Sequence, residues 1–458
     1  MVISQVRLII CLLMLAVAWP VAAKDLTDAE IAEHSLNVFA SFGDDRREAI
    51  DALVETEDKS LIPTFILAMR MTGDDADVRE ALASLTGETF ETWHDAFDWQ
   101  EAHPEIVPHE SFRPLKLKFI TNTDVRFLEF FAGPNTTRDE MKIRLEEIVW
   151  GGVLVDGIPP LDQPKMIAAE RAPYLLDDDL VFGVEINGDA RAYPLRIMGW
   201  HEMMNDVVGG IPVALAYCTL CAAAIVFETE VKDRDAPLIF SSSGLLFRSN
   251  KLMYDRETKS LWNQFTGEPV VGALTDSGLV LKTRPIVTTS WAAWRAEHPD
   301  TTVLSQDTGW VRDYGSGVTY KEYFASPDLM FPSRVGDERS AQRKDYVFGI
   351  RTFAAAKAWP IAAFREQPVI NDRVGSQSVV LIGDAETRTV RAYERGEEEF
   401  RLSGQDALES GSGTWQVSED FLTSDTGERL PRVAGHVSYW FAWDSYLGAK
   451  SELYGAKE

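Results

Sequence analysis

The chain has 458 residues, with 45 Lys and Arg against 72 Asp and Glu and a formal net charge of −27. That balance excludes nucleic acids and other polyanions as expected partners, because they are held by clustered cations. With 45% hydrophobic residues and 13 tryptophans, the chain can fill large cores, and its length suits two or three domains.

Residues 1–23 read as a secretory signal: Arg7, the apolar run Leu8 to Ala18, Pro20, and the small residues Val21-Ala22-Ala23 before Lys24. The expected location is periplasmic or secreted, and Cys11 would leave with the signal. No later run reaches the ~20 apolar residues of a membrane span.

Residues 24–110 are expected to be α-helical, in short pairs of the HEAT kind over Ala29–Phe42, Asp45–Glu57, Leu61–Met71 and Ala76–Thr86, with breaks at Gly43, Pro63 and Gly73. Such pairs often serve protein contact. His34, His94, His103 and His109 lack ligand spacing. From 111 to 458 the texture turns to short strand-like runs such as Leu115–Ile120 and Val213–Tyr217, with one helical stretch at Met141–Trp150.

An internal repeat lies within this part. Residues 181–228 match 347–394 without a gap, with 13 of 48 positions identical where chance gives roughly 3. The expected architecture is therefore α+β: an N-terminal helical segment followed by a β-rich region of two pseudo-repeated lobes. At the positions of His201, Glu202, Cys218 and Cys221 the second copy has Gln367, Pro368, Asp384 and Thr387. The turn and core residues are shared, whereas the reactive ones occur once, which marks them as candidates for a site.

Cys218-Thr219-Leu220-Cys221 is the only thiol pair left after the signal. Two sulfurs at this spacing hold a metal from one turn or cycle as a redox disulfide. His201 with Cys218 and Cys221 forms a donor set suited to Cu, Fe or Zn, with Met253, Glu202 or Asp255 as candidates for a fourth ligand. The His201-Glu202 pair is not a zinc-peptidase motif, since Asn205 stands where a second histidine belongs. The dense polar and aromatic run from Phe240 to Gln264 is expected to form either a pocket wall, with Ser243, Tyr254, Asp255, Arg256, Trp262 and Gln264, or a hairpin closed by an Asp-Arg turn. Ser243 lacks the strand-turn-helix context of a hydrolase nucleophile. Trp291 and Trp294 read as helix core.

Arg191-Ala192-Tyr193-Pro194-Leu195, Trp200-His201-Glu202 with Asn205-Asp206, Tyr217-Cys218-x-x-Cys221, Ser243–Leu246, Met253–Arg256, Ser260–Gln264 and Gly435–Trp443 together resemble the domain-of-unknown-function 3179 family, over roughly Gly152 to Tyr454. The family's Cys-Pro-Leu-Cys-Gly stands here as Cys218-Thr219-Leu220-Cys221-Ala222, which keeps both thiols and changes the loop. The resemblance implies no particular reaction.

Three functions are expected to compete. The first is an exported soluble metalloprotein of redox or metal-handling type. The second is a thiol-disulfide oxidoreductase with Cys218 attacking, Cys221 resolving and His201 stabilising the thiolate. The third is a non-catalytic binding protein with a structural disulfide. The expected partner is a small molecule or a redox protein, and the N-terminal helices offer a surface for protein contact.

Overall fold

The computed structural model describes residues 25–73, 75–336, 340–403, 407–447 and 450–456; the signal-like stretch 1–23 lies outside them. Among the described residues no helix is long and apolar enough to cross a membrane. The chain divides into two compact units, 1–89 with 109–112, and 90–108 with 113–458.

The first unit is helical, with Asp28–Ala40, Gly43–Val54, Ile62–Thr72 and Ala76–Thr86. Their starts and stops follow from capping chemistry. Thr27 and Glu30 form a reciprocal capping box, Asp75 accepts from the amides of Asp77 and Val78, and Gly87 takes the left-handed conformation that ends the last helix. Pro63 does not break a helix but sits in the first turn of one, where its missing N–H costs nothing.

The second unit begins with helix rather than strand. Leu115–Ile120 lies inside the helix Phe112–Thr123. The short alternation there is overridden by the helical spacing of Leu115, Lys116 and Ile120, all buried. The expected helix over Met141–Trp150 is instead a 3₁₀ turn, Leu145–Glu147, running into the strand Ile148–Trp150.

The two lobes are as expected, and the repeat extends further than the sequence comparison reached. Strands Leu180–Ile186, Asp189–Pro194, Met203–Val208, Ile211–Cys218 and Ala223–Glu228 recur 166 residues on as Tyr346–Arg351, Ala356–Pro360, Val369–Val374, Gln377–Asp384 and Thr389–Glu394. A second block recurs at 149 residues. Val287–Ser290 pairs antiparallel with the first strand of its lobe, as His436–Tyr439 does in the other. The helices Trp291–Glu297 and Trp440–Leu447 follow, and Thr302–Leu304 and Ser451–Leu453 then pair in parallel with the second strand of each lobe.

The shared residues explain themselves in this frame. A Cβ on Gly183 would run into the Trp294 ring, and one on Gly349 into Trp443, so only glycine lets the helix dock on the sheet. The indole N–H of Trp294 donates to Thr301 Oγ1 (2.8 Å) and that of Trp443 to Ser451 Oγ (2.6 Å). Asn205 and Asp206 lie in the strand Met203–Val208. Asn205 exchanges two hydrogen bonds with the backbone of Phe240, each 2.9 Å, and Asn371 does the same with Phe400 at 2.7 and 2.8 Å. Asp206 accepts from Arg191 (2.7 Å) and the Tyr193 hydroxyl (2.9 Å), and Asp372 from Lys357 (3.0 Å) and the Trp359 indole (2.8 Å).

Beyond these strands each lobe carries a hairpin extension. In the first lobe it forms the sheet Ile148–Trp150, Phe240–Phe247, Asn250–Asp255, Leu261–Asn263 and Glu268–Val271. In the second, Arg401–Ser403 through Arg429–Val433 continue an eight-stranded sheet. Phe240 meets Trp262 edge-on at 5.3 Å and Phe400 meets Trp415 likewise at 5.5 Å, so the extensions are also related.

Replacing Gly183 or Gly349 by alanine should destabilise the protein by roughly 2–3 kcal/mol through overpacking against the indole, read as a shift in the urea midpoint. Gly411→Ala, where an added Cβ meets nothing, should stay within about 0.5 kcal/mol. Equal midpoints for all three variants would contradict the docking role of the two glycines.

Candidate functional site: a buried dithiol on a strand-to-strand turn

Strands Ile211–Cys218 and Ala223–Glu228 pair so that Cys218 faces Ala223. The four residues between them close a tight turn, with Ala222 at φ 50° and its amide donating to the Thr219 carbonyl. The cysteine pair therefore sits between two strands, not at a helix N-terminus, and no helix dipole lowers its thiol pKa.

Both cysteines are free, 2% and 0% exposed, with sulfurs 2.7 Å apart. Cys221 Sγ also lies 3.5 Å from the Ser249 carbonyl. Burial pushes the Cys221 thiol well up; the hydrogen bond and charge of Cys218 and the charge of Glu202 push the same way, against Lys251. The resting thiol at neutral pH is protonated.

Beside the turn lies a buried ion pair. Glu202, 6% exposed, meets Lys251 Nζ at 3.3 Å, and the same ammonium donates to the Glu202 carbonyl at 3.1 Å. Thr219 Oγ1, between the two cysteines, donates to Glu202 Oε1 (2.6 Å), and the Tyr320 hydroxyl approaches that oxygen at 3.4 Å. Tyr323 donates to the Leu220 carbonyl (2.7 Å), and the amide of Tyr439, from the second lobe, donates to the carbonyl of Cys221 (2.8 Å). Five non-glycine residues in the left-handed region cluster here: Glu202, Ala222, Arg248, Ser249 and Tyr320. Backbone of this kind costs about 1–3 kcal/mol per residue and concentrates at functional sites.

The structure brings Glu202 and Gln264 to the thiols and takes other predicted residues elsewhere. Gln264 donates to the carbonyls of Ala216 (2.9 Å) and Ala223 (3.1 Å), and its own carbonyl is buried without a partner. His201 ends the helix Leu195–His201 with both ring nitrogens engaged. Nδ1–H donates to the Pro159 carbonyl (2.8 Å) and Nε2 accepts from the Tyr314 hydroxyl (2.7 Å). Met253 packs in an apolar cluster with Met203, Ala216, Phe240 and Trp262 that holds neither cysteine. The four-ligand set His201, Cys218, Cys221 and Met253 is thus not assembled. Among the described residues, the one trio of His, Cys, Asp or Glu ligand atoms lying within 4.8 Å of one another is Glu297, His298 and Glu419.

The stretch from Phe240 to Gln264 forms a hairpin closed by an Asp-based turn. Asp255 accepts from Thr258 N (2.6 Å), Thr258 Oγ1 (2.7 Å) and the Trp262 indole (2.9 Å). Arg256 pairs with Asp162 and Ser241, Tyr254 donates to Asp156, and Ser243 donates to the Leu252 carbonyl. These side chains are spent on structure. Sequence reasoning missed Lys251 and Tyr314, Tyr320 and Tyr323. The three tyrosines lie on the stretch 305–345, whose described residues hold one short helix, Lys321–Ala325; a long irregular connection of this kind is itself a functional signal.

The family described as "Protein of unknown function (DUF3179)" matches residues 155–450. The chain belongs to the DUF3179 family. No curated protein and no solved structure matches it. The match spans the dithiol turn, His201-Glu202, the Tyr314–Tyr323 segment and nearly all of both lobes.

Burial lowers the pKa of His201, and burial together with Arg351 lowers that of His436 to about 3. Both are neutral when folded, while the unfolded chain takes up protons near pH 6.5. Each histidine should therefore lower stability as pH drops below about 6.5, by up to about 1.4 kcal/mol per pH unit, opposed by Glu101, whose carboxyl burial raises to about 8. Urea unfolding at pH 7, 6 and 5 reads this, and His436→Gln should flatten the slope. Tyr314→Phe removes the donor to buried Nε2 and should cost about 1–2 kcal/mol. An identical pH slope in His436→Gln and the parent would refute the neutral assignment of that histidine.

Proposed function

We propose that this DUF3179 protein is an exported redox protein whose Cys218 and Cys221 cycle between dithiol and disulfide. The observation that carries the reading is a pair of free, buried sulfurs 2.7 Å apart with no third ligand drawn to them among the described residues. Export rests on the signal-like pattern of residues 1–23. In the oxidising direction, the Cys218 and Cys221 thiols reduce a disulfide of a small molecule or partner protein. One S–S bond forms here, one breaks there, and the two protons end on the partner's two thiols.

The attacking thiol must lose its proton first, because only a thiolate attacks. Thr219, Glu202 and Tyr320 form a hydrogen-bonded group beside the turn and supply the proton's exit, with Lys251 holding the carboxylate. His201, expected to stabilise the thiolate, is bonded to Pro159 and Tyr314 instead, and Glu202 acts on the proton rather than on the thiolate. The raised pKa of Cys221 makes exchange through that thiol slow at neutral pH and faster in alkali. A transition metal (Cu, Fe or Zn) held by the same thiols is the second reading, favoured by their proximity alone.

The test uses mature protein purified by its export route without affinity metals. Thiols are alkylated in denaturant after equilibration across glutathione redox buffers, and metal content is measured alongside. The expected result is two thiols that oxidise together at one potential, with no stoichiometric metal, and an alkylation rate for the native protein that rises steeply above pH 8. A pair indifferent to every buffer would leave only a structural role. Near-stoichiometric metal lost in the Cys218→Ser/Cys221→Ser protein would establish the second reading instead.

A further inference from the structure

The duplication makes two equivalent crevices between the lobes. In the first, the dithiol turn packs beneath the strand His436–Tyr439 and the helix Trp440–Leu447, and the rings of Phe265 and Tyr446 stack at 5.1 Å and 15° to fill the space. In the second, the turn after Asp384 meets the strand Val287–Ser290 and the helix Trp291–Glu297, and Thr389 Oγ1 donates to Thr289 Oγ1 across the join (2.8 Å). The residues corresponding to Phe265 and Tyr446 are Ser418 and Glu297. With the aromatic stack gone, a cavity of about 630 Å³ opens there.

The chemistry of this cavity differs at every position that matters. Asp384 and Thr387 stand where the first lobe has Cys218 and Cys221, and Ile382, Leu408 and Val417 give the wall an apolar surface. Among the described residues four carboxylates line it, Glu185, Glu297, Asp384 and Glu419, against one lining guanidinium, that of Arg391. Glu419 is held between Arg391 (2.6 Å) and Arg432 (2.7 Å), and Arg391 also reaches Glu297. These fixed cations occupy the place a metal ion would take between Glu297 and Glu419, so the trio with His298 does not make a metal site. Glu185 has only the His298 imidazole, at 3.2 Å, and exposed Asp384 has only Thr387 Oγ1 and a backbone amide among the partners described.

We infer that this second crevice is a binding site for a small organic cation with an aliphatic body, an alkylamine or diamine, its ammonium groups on Glu185 and Asp384 and its chain on the apolar wall. An acidic surplus attracts the cation, and the partly enclosed apolar wall rewards its methylenes. The inference is independent of the dithiol.

Titration calorimetry of the full mature protein with cadaverine tests it, with pentanediol and glutarate as controls of equal length. Saturable binding of cadaverine alone is expected, weakened at least tenfold by Asp384→Lys and also by Glu185→Gln, each variant assayed well below its own unfolding midpoint. The Cys218→Ser/Cys221→Ser protein should bind as the parent does, which separates this outcome from the fate of the redox reading. No binding of cadaverine, equal binding of either control, or an Asp384→Lys affinity unchanged from the parent would overturn the inference. So would saturable zinc binding in place of the amine.

Discussion

In each lobe a tryptophan ring lies against a glycine of the first strand, Trp294 on Gly183 and Trp443 on Gly349, and both indoles are fully buried. That contact sets the distance between helix and sheet. The helix in turn fixes the strand before it and the parallel strand after it, which flank the first two strands of each lobe. The Asn-Asp pairs act at right angles to this. Asn205 and Asn371 tie the hairpin extension to the core, and Asp206 and Asp372 tie the second strand to the third. Buried polar groups that are fully satisfied in this way specify one arrangement over others. The cysteine turn and its counterpart at Asp384–Thr387 inherit their positions from these contacts.

Within that frame the reactive side chains that the first lobe has and the second lacks fall in two short runs, His201-Glu202 and Cys218–Cys221. His201 and Glu202 follow one another at the end of a helix and serve two different partners. His201 anchors Tyr314, while Glu202 anchors Tyr320 and Thr219. The stretch joining the lobes is thereby fastened at Tyr314 away from the dithiol turn and at Tyr320 beside it, with Tyr323 on the Leu220 carbonyl as a third point. The His-Glu pair is thus the floor to which a cover is bonded. The cover adds Tyr323 to the apolar cluster that buries both sulfurs, and that burial, with Cys218 and Glu202, holds the Cys221 thiol well above its usual pKa.

The architecture was legible because it is written in periodic and repeated signals. The N-terminal helices announce themselves by caps such as Thr27 and Asp75, and the lobes by residues that recur without a gap. The repeat of the strand-helix-strand block was less visible, since its offset changes from 166 to 149 residues and its plainest trace is Trp291-Ala-Ala-Trp294 beside Trp440-Phe-Ala-Trp443. The site was half legible. Cys218, Cys221 and Glu202 stand out as chemistry present in one lobe only, but ligand type says nothing about direction. His201 is close to the cysteines in sequence and bonded elsewhere in space, and Asp255 and Arg256 resemble a pocket because turn chemistry uses the same side chains. The tyrosines of the connecting stretch carry no motif, and they meet the turn only through long-range folding.

The second lobe bears on why the first keeps its thiols. Asp384 and Thr387 close an equivalent turn between strands of the same register, with a Thr387–Asp384 hydrogen bond of 2.7 Å doing locally what a structural disulfide would do. A short loop of this kind gains little from a covalent link, because cross-linking stabilises in proportion to the chain entropy it removes. The fold therefore does not require cysteine at this turn. In the first lobe the turn shares its left-handed residue with the sister turn, Ala222 matching Arg388, but it alone has a buried carboxylate with its lysine beside it and two sulfurs in contact, each unfavourable for folding taken alone. A cluster of such features where the sister turn manages with a threonine and an aspartate is the pattern of a site maintained for its chemistry.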